Sequence, residues 1–239
     1  YGPADSLRTA QTEVMPLASD RRTSVCISVD AEFSIGDAFA YPDRHKPIGG
    51  RHVWCPVDGR SQGLGFLLGT LEEFGIRATF FVETLQVAYF GDGPMQEIAS
   101  TVAAAGHDVQ LHLHPAWAAF DRSDWRSNLA TSQPKDEMHR RETDELAGWM
   151  QRGIDTFRRW GLPAPTALRT GNMMIDRNVY RAMSELGLRA SSSIAASLFK
   201  PSESALQLNH GMHSIEGILE FPVFSYRGVS WGPWSRRKS

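Results

Sequence analysis

The sequence predicts an α/β fold, a distorted parallel (β/α) barrel of six or seven strands. Short runs rich in β-branched and aromatic residues alternate with helical patterns along the chain, which is typical of βαβ units and a parallel sheet. With 239 residues the chain can bury a sizeable core and still form one barrel domain. Its hydrophobic content of 41% and charged content of 22% are ordinary for a globular protein.

The first half of the chain contains three predicted strands. Residues 24–32 form a continuous apolar run that ends in two carboxylates, which is typical of a parallel strand buried on both faces. Residues 34–62 are rich in Gly, Pro and charge and predict a long loop over the mouth of the barrel. Leucines at helical spacing from Leu64 predict a helix that Gly75 ends. The remaining elements are a strand at 78–83, a helix at 94–105 with Gly106 as its C-cap, and a strand that ends at Pro115.

The second half continues the alternation. Apolar residues on one stripe predict a long helix over 136–160. Asp176 is a predicted N-cap for a helix that runs to Leu186. Further strands are predicted at 167–169, 189–194 and 218–224. We expect residues 1–23 to be an N-terminal extension and residues 24–239 to form one domain.

A His-x-His pattern ends the third predicted strand. Side chains alternate faces along a strand, so Gln110, His112 and His114 share the face opposite Val109 and its apolar neighbours. Imidazole is the commonest protein ligand for transition metals, and two on one rigid element fix two coordination positions. The alternative is that both are ordinary histidines at a strand end.

Asp30 and Glu32 lie two residues apart at the end of the first predicted strand. In parallel α/β folds, ligands bind at the carboxyl ends of the strands. Two carboxylates there allow one to ligate a metal while the other acts as a base. Asp30 could equally be a structural partner of Arg169, and an arginine beside it would keep the carboxylate ionised in either role.

Four motifs in order make the chain resemble the polysaccharide deacetylases of the NodB-homology type, carbohydrate esterase family 4. They are Ser28-Val29-Asp30-Ala31-Glu32, the strand Ala78-Thr79-Phe80-Phe81-Val82, the segment from Gly106 to Pro115, and Leu168-Arg169-Thr170-Gly171-Asn172. The resemblance spans residues 24–224. It implies removal of acetyl groups from an N- or O-acetylated sugar or polysaccharide, with Asp30 as catalytic base and Arg169 as its partner. It also implies a divalent metal, with zinc the best match, held by Glu32, His112 and His114, and a metal-bound water as nucleophile.

Three departures from the family's pattern leave other functions open. The two histidines are spaced by two residues rather than four, and Glu32 stands one position later than the family's second aspartate. The family's Leu-x-His, which protonates the leaving group, has no match after Phe224. One alternative is therefore a catalytically lapsed carbohydrate-binding domain, and another is a hydrolase of a different C–N or ester bond. His210 and His213 are predicted to be surface residues of a loop at the bottom of the barrel, away from the mouth.

Composition restricts the partners. The formal net charge of −2 gives no basic field for nucleic acid or an anionic membrane. Neither a signal peptide nor a membrane span is visible, which favours the cytoplasm, and the oligomeric state stays open.

Two cysteines form no disulfide framework; Cys26 is expected to be a small buried residue and Cys55 to lie in a loop. Trp117 could stack on a sugar ring or pack in the core. His107 is expected to be structural, Trp231 and Trp234 have no assigned role, and the expected surface histidines are His45, His52 and His139.

Overall fold

The computed structural model describes residues 23–131 and 135–225, and a seven-stranded sheet lies at its centre. The strands are β1 (Ser28–Ala31), β2 (Pro56–Val57), β3 (Arg60–Ser61), β4 (Thr79–Glu83), β5 (Asp108–Leu113), β6 (Ala167–Thr170), β7 (Ala190–Ser191), β8 (His213–Ile215) and β9 (Ile218–Glu220). The helices are α1 (Arg51–Trp54), α2 (Leu64–Glu73), α3 (Val87–Phe90), α4 (Gly93–Ala104), α5 (Trp125–Thr131), α6 (Thr143–Arg159) and α7 (Arg177–Glu185).

The sheet is parallel except at one edge. Its strand order is β1-β4-β5-β6-β7-β9-β8, and only the β8–β9 pair is antiparallel. The predicted α/β class and strand number are confirmed. Within the described residues β1 and β8 are the two edges, and no strand pairing joins them into a closed barrel. The short strands β2 and β3 form a separate hairpin.

Strand register brings the candidate residues to one level of the sheet. Glu83 at the end of β4 pairs with His112 on β5, and His112 pairs with Arg169 on β6. On β1, Ala31 pairs with Val82. Glu32 therefore follows β1 at the level of the three paired residues, at the carboxyl ends of the parallel strands.

The helix α6 packs closely on the strand that carries the histidines. Leu111 and Leu113 of β5 are completely buried. Gly153 of α6 lies so near that a Cβ there would be 2.6 Å from Leu111 Cδ1. A core packed at this density fixes β5 in place, and with it the histidines at its end.

The structure corrects the expected environment of the first strand. The strand begins at Ser28, and it lies at the edge of the sheet rather than between two neighbours. Val25 is 83% exposed, and Cys26 is exposed rather than buried. The apolar run gave the correct strand end but not its position in the sheet.

Several other element boundaries differ from the prediction. The long helix begins at Thr143, so residues 136–142 precede it as an irregular segment. The last two predicted strands shorten to β7 and β9. The loop over 34–62 contains α1 and the β2–β3 hairpin. Since β8 runs antiparallel to β9, the segment that contains His210 enters the sheet at the carboxyl ends of the parallel strands, and not at the bottom.

None of the helices in the described part of the chain is long and apolar enough to cross a membrane. The proposed extension at 1–23 falls almost wholly outside the described residues, as do Trp231 and Trp234. The division of the chain into an extension and one domain stays a prediction.

Candidate active site

Glu32, His112 and His114 converge at the end of the sheet. Glu32 Oε2 lies 2.8 Å from His114 Nε2 and 3.4 Å from His112 Nε2. One potential ligand atom from each residue lies within 4.8 Å of the other two. Tetrahedral zinc with bonds near 2 Å separates its ligand atoms by roughly 3.3 Å, so the three side chains fit such an ion with small adjustments.

Both imidazole rings are oriented by an acceptor at Nδ1. His112 Nδ1 lies 2.9 Å from the backbone oxygen of Arg169, and His114 Nδ1 lies 2.6 Å from Asp136 Oδ2. When Nδ1–H donates in each ring, Nε2 is the atom that offers a lone pair towards Glu32. Metal-binding histidines in proteins are usually held by such a second hydrogen bond, so the donor set and its support both fit a metal.

Asp136 is a site residue that the sequence did not indicate. Its Oδ1 accepts a hydrogen bond from the backbone N–H of Ala116 at 3.1 Å, and its Oδ2 also accepts from Asn172 Nδ2 at 2.9 Å. The sequence predicted a helix from this position, where a carboxylate ordinarily indicates only favourable helix-end electrostatics. Residues 136–142 are instead irregular, and Asp136 connects the segments after β5 and β6.

His114, Glu32 and Asp136 shift one another's pKa values. Burial alone would lower the pKa of His114, but its hydrogen bonds to Asp136 and Glu32 raise that pKa to about 10. Burial would raise the pKa of Glu32, yet the hydrogen bonds from His112 and His114 hold it well below its usual range. The same balance of burial against the bond from His114 lowers the pKa of Asp136. Two ionised carboxylates on one imidazole favour a cation there, either a proton or a metal ion.

Glu83 is a second residue that the sequence analysis missed. The side chain is completely buried, and burial raises its pKa to about 7 against the hydrogen bonds that it accepts. Its Oε1 accepts from the backbone N–H groups of Leu85 and His114, and its Oε2 accepts from Gln86 N–H. Gln86 Oε1 in turn accepts from Phe33 N–H at 2.8 Å. Glu83 thereby connects the segments that carry His114 and Glu32.

Arg169 and Asp30 form the other half of the site. Arg169 Nη1 donates to Asp30 Oδ1 at 2.7 Å, and Arg169 Nη2 donates to Ser28 Oγ at 2.6 Å. Ser192 accepts from Nε through its backbone oxygen and from Nη2 through its hydroxyl, both at 2.8 Å. The guanidinium carbon also lies 4.3 Å from the centre of the Phe81 ring. Arg169 is only 3% exposed, whereas the Asp30 side chain is 29% exposed, so the carboxylate is the accessible member of the pair.

Gly171 lets the loop after β6 approach His114 closely. A Cβ at this position would lie 2.5 Å from His114 Nδ1, closer than any real contact allows. Asn172 and Met173, the next two residues, both have a φ of 55°, which is unusual for residues with side chains. Such conformations cluster at functional sites because the surrounding structure must hold them.

The structure thus brings all five candidate residues to one end of the sheet, as two groups joined by the bond from His112 Nδ1 to Arg169 O. Their chemical roles stay predictions. Trp117 is 1% exposed and packs in the core near Phe120, so a sugar-stacking role is wrong. The surface assignment of His139 is also wrong, because it is 9% exposed and contacts the Phe199 ring.

Among solved structures, a protein from Mycobacterium smegmatis that is inferred to be a polysaccharide deacetylase matches with a TM-score of 0.52. The two are 20% identical, and the match covers 88% of this chain and 64% of that one. This chain has the NodB-homology fold of carbohydrate esterase family 4. No protein-family sequence model matches the chain, and no curated protein matches it by sequence.

Two family 4 enzymes give weaker matches to this chain. The Streptomyces lividans family 4 carbohydrate esterase, solved with acetate, has a TM-score of 0.42 at 15% identity, over 72% of this chain and 64% of that one. The Clostridium thermocellum family 4 acetyl xylan esterase, solved with a cobalt ion, has a TM-score of 0.41 at 14% identity, over 76% and 63%. The chain spans about 64% of the length of the first two structures that it matches.

Proposed function

We propose that this protein is a metal-dependent carbohydrate deacetylase, which hydrolyses acetyl groups on an N- or O-acetylated sugar or polysaccharide. The observation that carries the proposal is the convergence of a Glu/His/His cluster and an arginine-paired aspartate at one end of a NodB-type sheet. The cluster matches the donor set of catalytic metal sites, and the second group provides a carboxylate within the same mouth.

Glu32, His112 and His114 would hold the metal through one carboxylate oxygen and two Nε2 atoms. Two imidazoles and one carboxylate suit zinc, and cobalt or manganese accept the same ligands. When bound, a divalent ion with an open position polarises a carbonyl oxygen and lowers the pKa of water towards 7. The hydrogen bond to Asp136 would keep His114 in the orientation that directs Nε2 to the ion, and the backbone oxygen of Arg169 would do the same for His112.

Asp30 would act as the base that accepts the proton of the attacking water at its exposed carboxylate. Arg169 occupies Oδ1 with one N–H, and this fixed contact sets the direction of the carboxylate. Positioned proton transfer of this kind contributes about 10²–10⁴ to a rate.

The need for a proton donor to the leaving group distinguishes O-acetyl from N-acetyl substrates. The family's Leu-x-His has no match after Phe224. Of the described histidines outside the Glu/His/His cluster, His107 and His213 are hydrogen-bonded to backbone, and His45 and His139 contact an aromatic ring. An O-acetyl ester requires less help from an acid than an N-acetyl amide, because its alkoxide is the better leaving group. Activity on acetylated esters that exceeds activity on N-acetyl sugars would fit the site as described.

Metal analysis coupled to an acetate-release screen tests the proposed function. The protein as isolated and after loading with Zn²⁺, Co²⁺ or Mn²⁺ should release acetate from acetylated xylan or from chitooligosaccharides, and a chelator should abolish the release. One bound ion with no release from any acetylated carbohydrate would favour a lapsed binding domain. Release from small amides or esters alone would favour a hydrolase of another bond.

A further inference from the structure

Glu220 is a buried carboxylate at the end of β9 that accepts hydrogen bonds from two other parts of the chain. It is completely buried, and its Oε1 accepts from the backbone N–H groups of Ser193 at 3.0 Å and Ile194 at 3.1 Å. Its Oε2 accepts from the Tyr180 hydroxyl of α7 at 3.0 Å. One oxygen thus binds two consecutive N–H groups in the segment that follows β7.

The segment that follows β7 also binds Arg169. Ser192, which directly precedes the two bound N–H groups, accepts two hydrogen bonds from the Arg169 guanidinium. The neighbouring Ser193 hydroxyl accepts from the backbone N–H of Thr170 at 3.0 Å. Residues 192–194 therefore lie between Glu220 and the end of β6, with direct contacts to both.

Strand pairing alone does not fix this segment. β7 contains only two residues, and its last ladder partner on β6 is Leu168, opposite Ser191. Beyond that pair, Ser192 N–H still donates to Leu168 O at 3.2 Å, but the N–H groups of Ser193 and Ile194 donate to Glu220 instead of to a strand. The Glu220 carboxylate thus accepts the two backbone hydrogen bonds that a neighbouring strand would otherwise accept, directly after the residue that contacts Arg169.

We propose that Glu220 is a positioning residue: through Ser192 it sets the place of Arg169, and through Arg169 the direction of the Asp30 carboxylate. The catalytic part of this inference rests on the proposed function, whereas the effect on Arg169 does not. Glu220 lies two strands from β6, with β7 between them, and acts through backbone N–H groups rather than on substrate.

The test compares two substitutions that separate the place of the oxygen from its charge. Glu220→Gln keeps an oxygen at the position of Oε1, where it can accept both N–H groups, and loses the charge. Glu220→Asp keeps the charge but withdraws the carboxylate by about 1.5 Å, one C–C bond. Glu216→Asp, in the turn between β8 and β9 and paired with Arg177 at the surface, is the matched control.

Three readouts are needed: metal content, the separate kcat and KM for acetate release, and hydrogen exchange of the Arg169 Nε–H by NMR, assigned by its loss in Arg169→Lys. In Glu220→Asp we expect faster Nε–H exchange and a kcat lower by about tenfold or more, since displacements near 1 Å can cost up to about 10² in rate. KM and metal content should not change. Glu220→Gln and Glu216→Asp should resemble the wild type in all three.

Wild-type exchange and kcat in Glu220→Asp would overturn the inference. Equal losses in Glu220→Gln would also overturn it, because the charge and not the place of the oxygen would then matter. Loss of metal in Glu220→Asp would show a general structural role and likewise contradict it. If the wild type releases no acetate but Nε–H exchange is faster in Glu220→Asp alone, the proposed function fails while the positioning of Arg169 stands.

Discussion

The site has a metal side, formed by Glu32, His112 and His114, and a base side, formed by Asp30 and Arg169. Both lie at the same end of one sheet, but different contacts hold them in place. On the metal side, Glu83 accepts from N–H groups two and three residues along the chain and from His114 N–H. On the base side, Glu220 accepts from N–H groups 26 and 27 residues away. Each is a buried glutamate that ends a strand. Glu83 combines two local contacts with one from a residue 31 positions away, whereas both backbone contacts of Glu220 are distant.

Because the two sides are held by different contacts, a substitution that disables one should not disable the other. The metal side depends on His114 and its carboxylate partners, whereas the base side depends on a buried arginine with four hydrogen-bond contacts. They share one direct bond, from His112 Nδ1 to the backbone oxygen of Arg169, which no side-chain substitution of Arg169 removes. Substitutions on one side should therefore leave the other largely intact.

The largest effect is expected from His112→Ala on the metal side. Loss of one of two imidazoles should remove the bound ion, and with it several kcal/mol of transition-state stabilisation, or about 10³ or more in rate. Metal content after dialysis and acetate release measure the two losses. His45→Ala, at an exposed loop position, is the control. Full metal retention in His112→Ala or in His114→Ala would contradict the ligand assignment of that residue.

Asp30→Asn should affect only the base side. The amide keeps the shape of the side chain but cannot accept the proton, so kcat should fall by about 10²–10⁴ while the metal stays bound. Kinetics and metal analysis on the same preparation provide the measurement, with exposed Asp37→Asn as the control. A variant with near wild-type kcat would make Asp30 only a structural partner of Arg169.

The pH dependence of metal affinity should identify the metal side. His114 has a pKa of about 10 in the absence of metal, so below pH 10 the ion must displace a proton. Affinity should therefore rise with pH, by about tenfold per unit from this residue and so about 10² between pH 6 and pH 8. Chelator competition at several pH values measures the slope. An affinity that does not change with pH over this range would show that metal binding displaces no proton from His114.

Asp136→Asn should weaken the metal side without abolishing it. Loss of the carboxylate behind a ligand histidine typically costs 10–100-fold in metal affinity. The rise of affinity with pH should also level off at a lower pH, because one of the two carboxylates that raise the pKa of His114 is gone. Asp121→Asn, in a surface pair with Arg152, is the control. Equal affinities for wild type and variant would leave Asp136 with a purely structural role.

The smallest effect is expected from the His210→Ala, His213→Ala double variant. Both residues lie at the mouth end of the sheet, but β8 is separated from β6 by three strand spacings, about 14 Å along the sheet. His213 Nε2 is already 2.8 Å from the His210 backbone oxygen. We expect kcat within about threefold of wild type, against the loss of 10² or more that removal of a general acid causes. A loss of that size with metal still bound would identify the loop as the proton donor.

How far the site could be predicted depends on where its contacts come from in the chain. Asp30 and Glu32 follow one strand, and His112 and His114 end another, so strand periodicity sufficed to place each pair on one side. That these pairs meet followed from the rule that parallel strands present their carboxyl ends at one edge. Asp136 and Glu220 offered no such pattern, since each acts on residues 20 or more positions away.

Local sequence patterns were enough to predict the α/β class, the alternating order of the elements and the ends of the strands that carry the five candidate residues, because hydrophobic periodicity and turn residues act locally. Contacts between distant segments place β1 at the edge of the sheet, make β8 antiparallel, and keep residues 136–142 out of the helix, with Asp136 bonded to His114. Such contacts also give Glu220 the backbone N–H groups beside Ser192 that a strand would otherwise bind. These outcomes depend on burial and on hydrogen bonds between distant segments, whose free energies exceed local propensity and have no signature in local patterns.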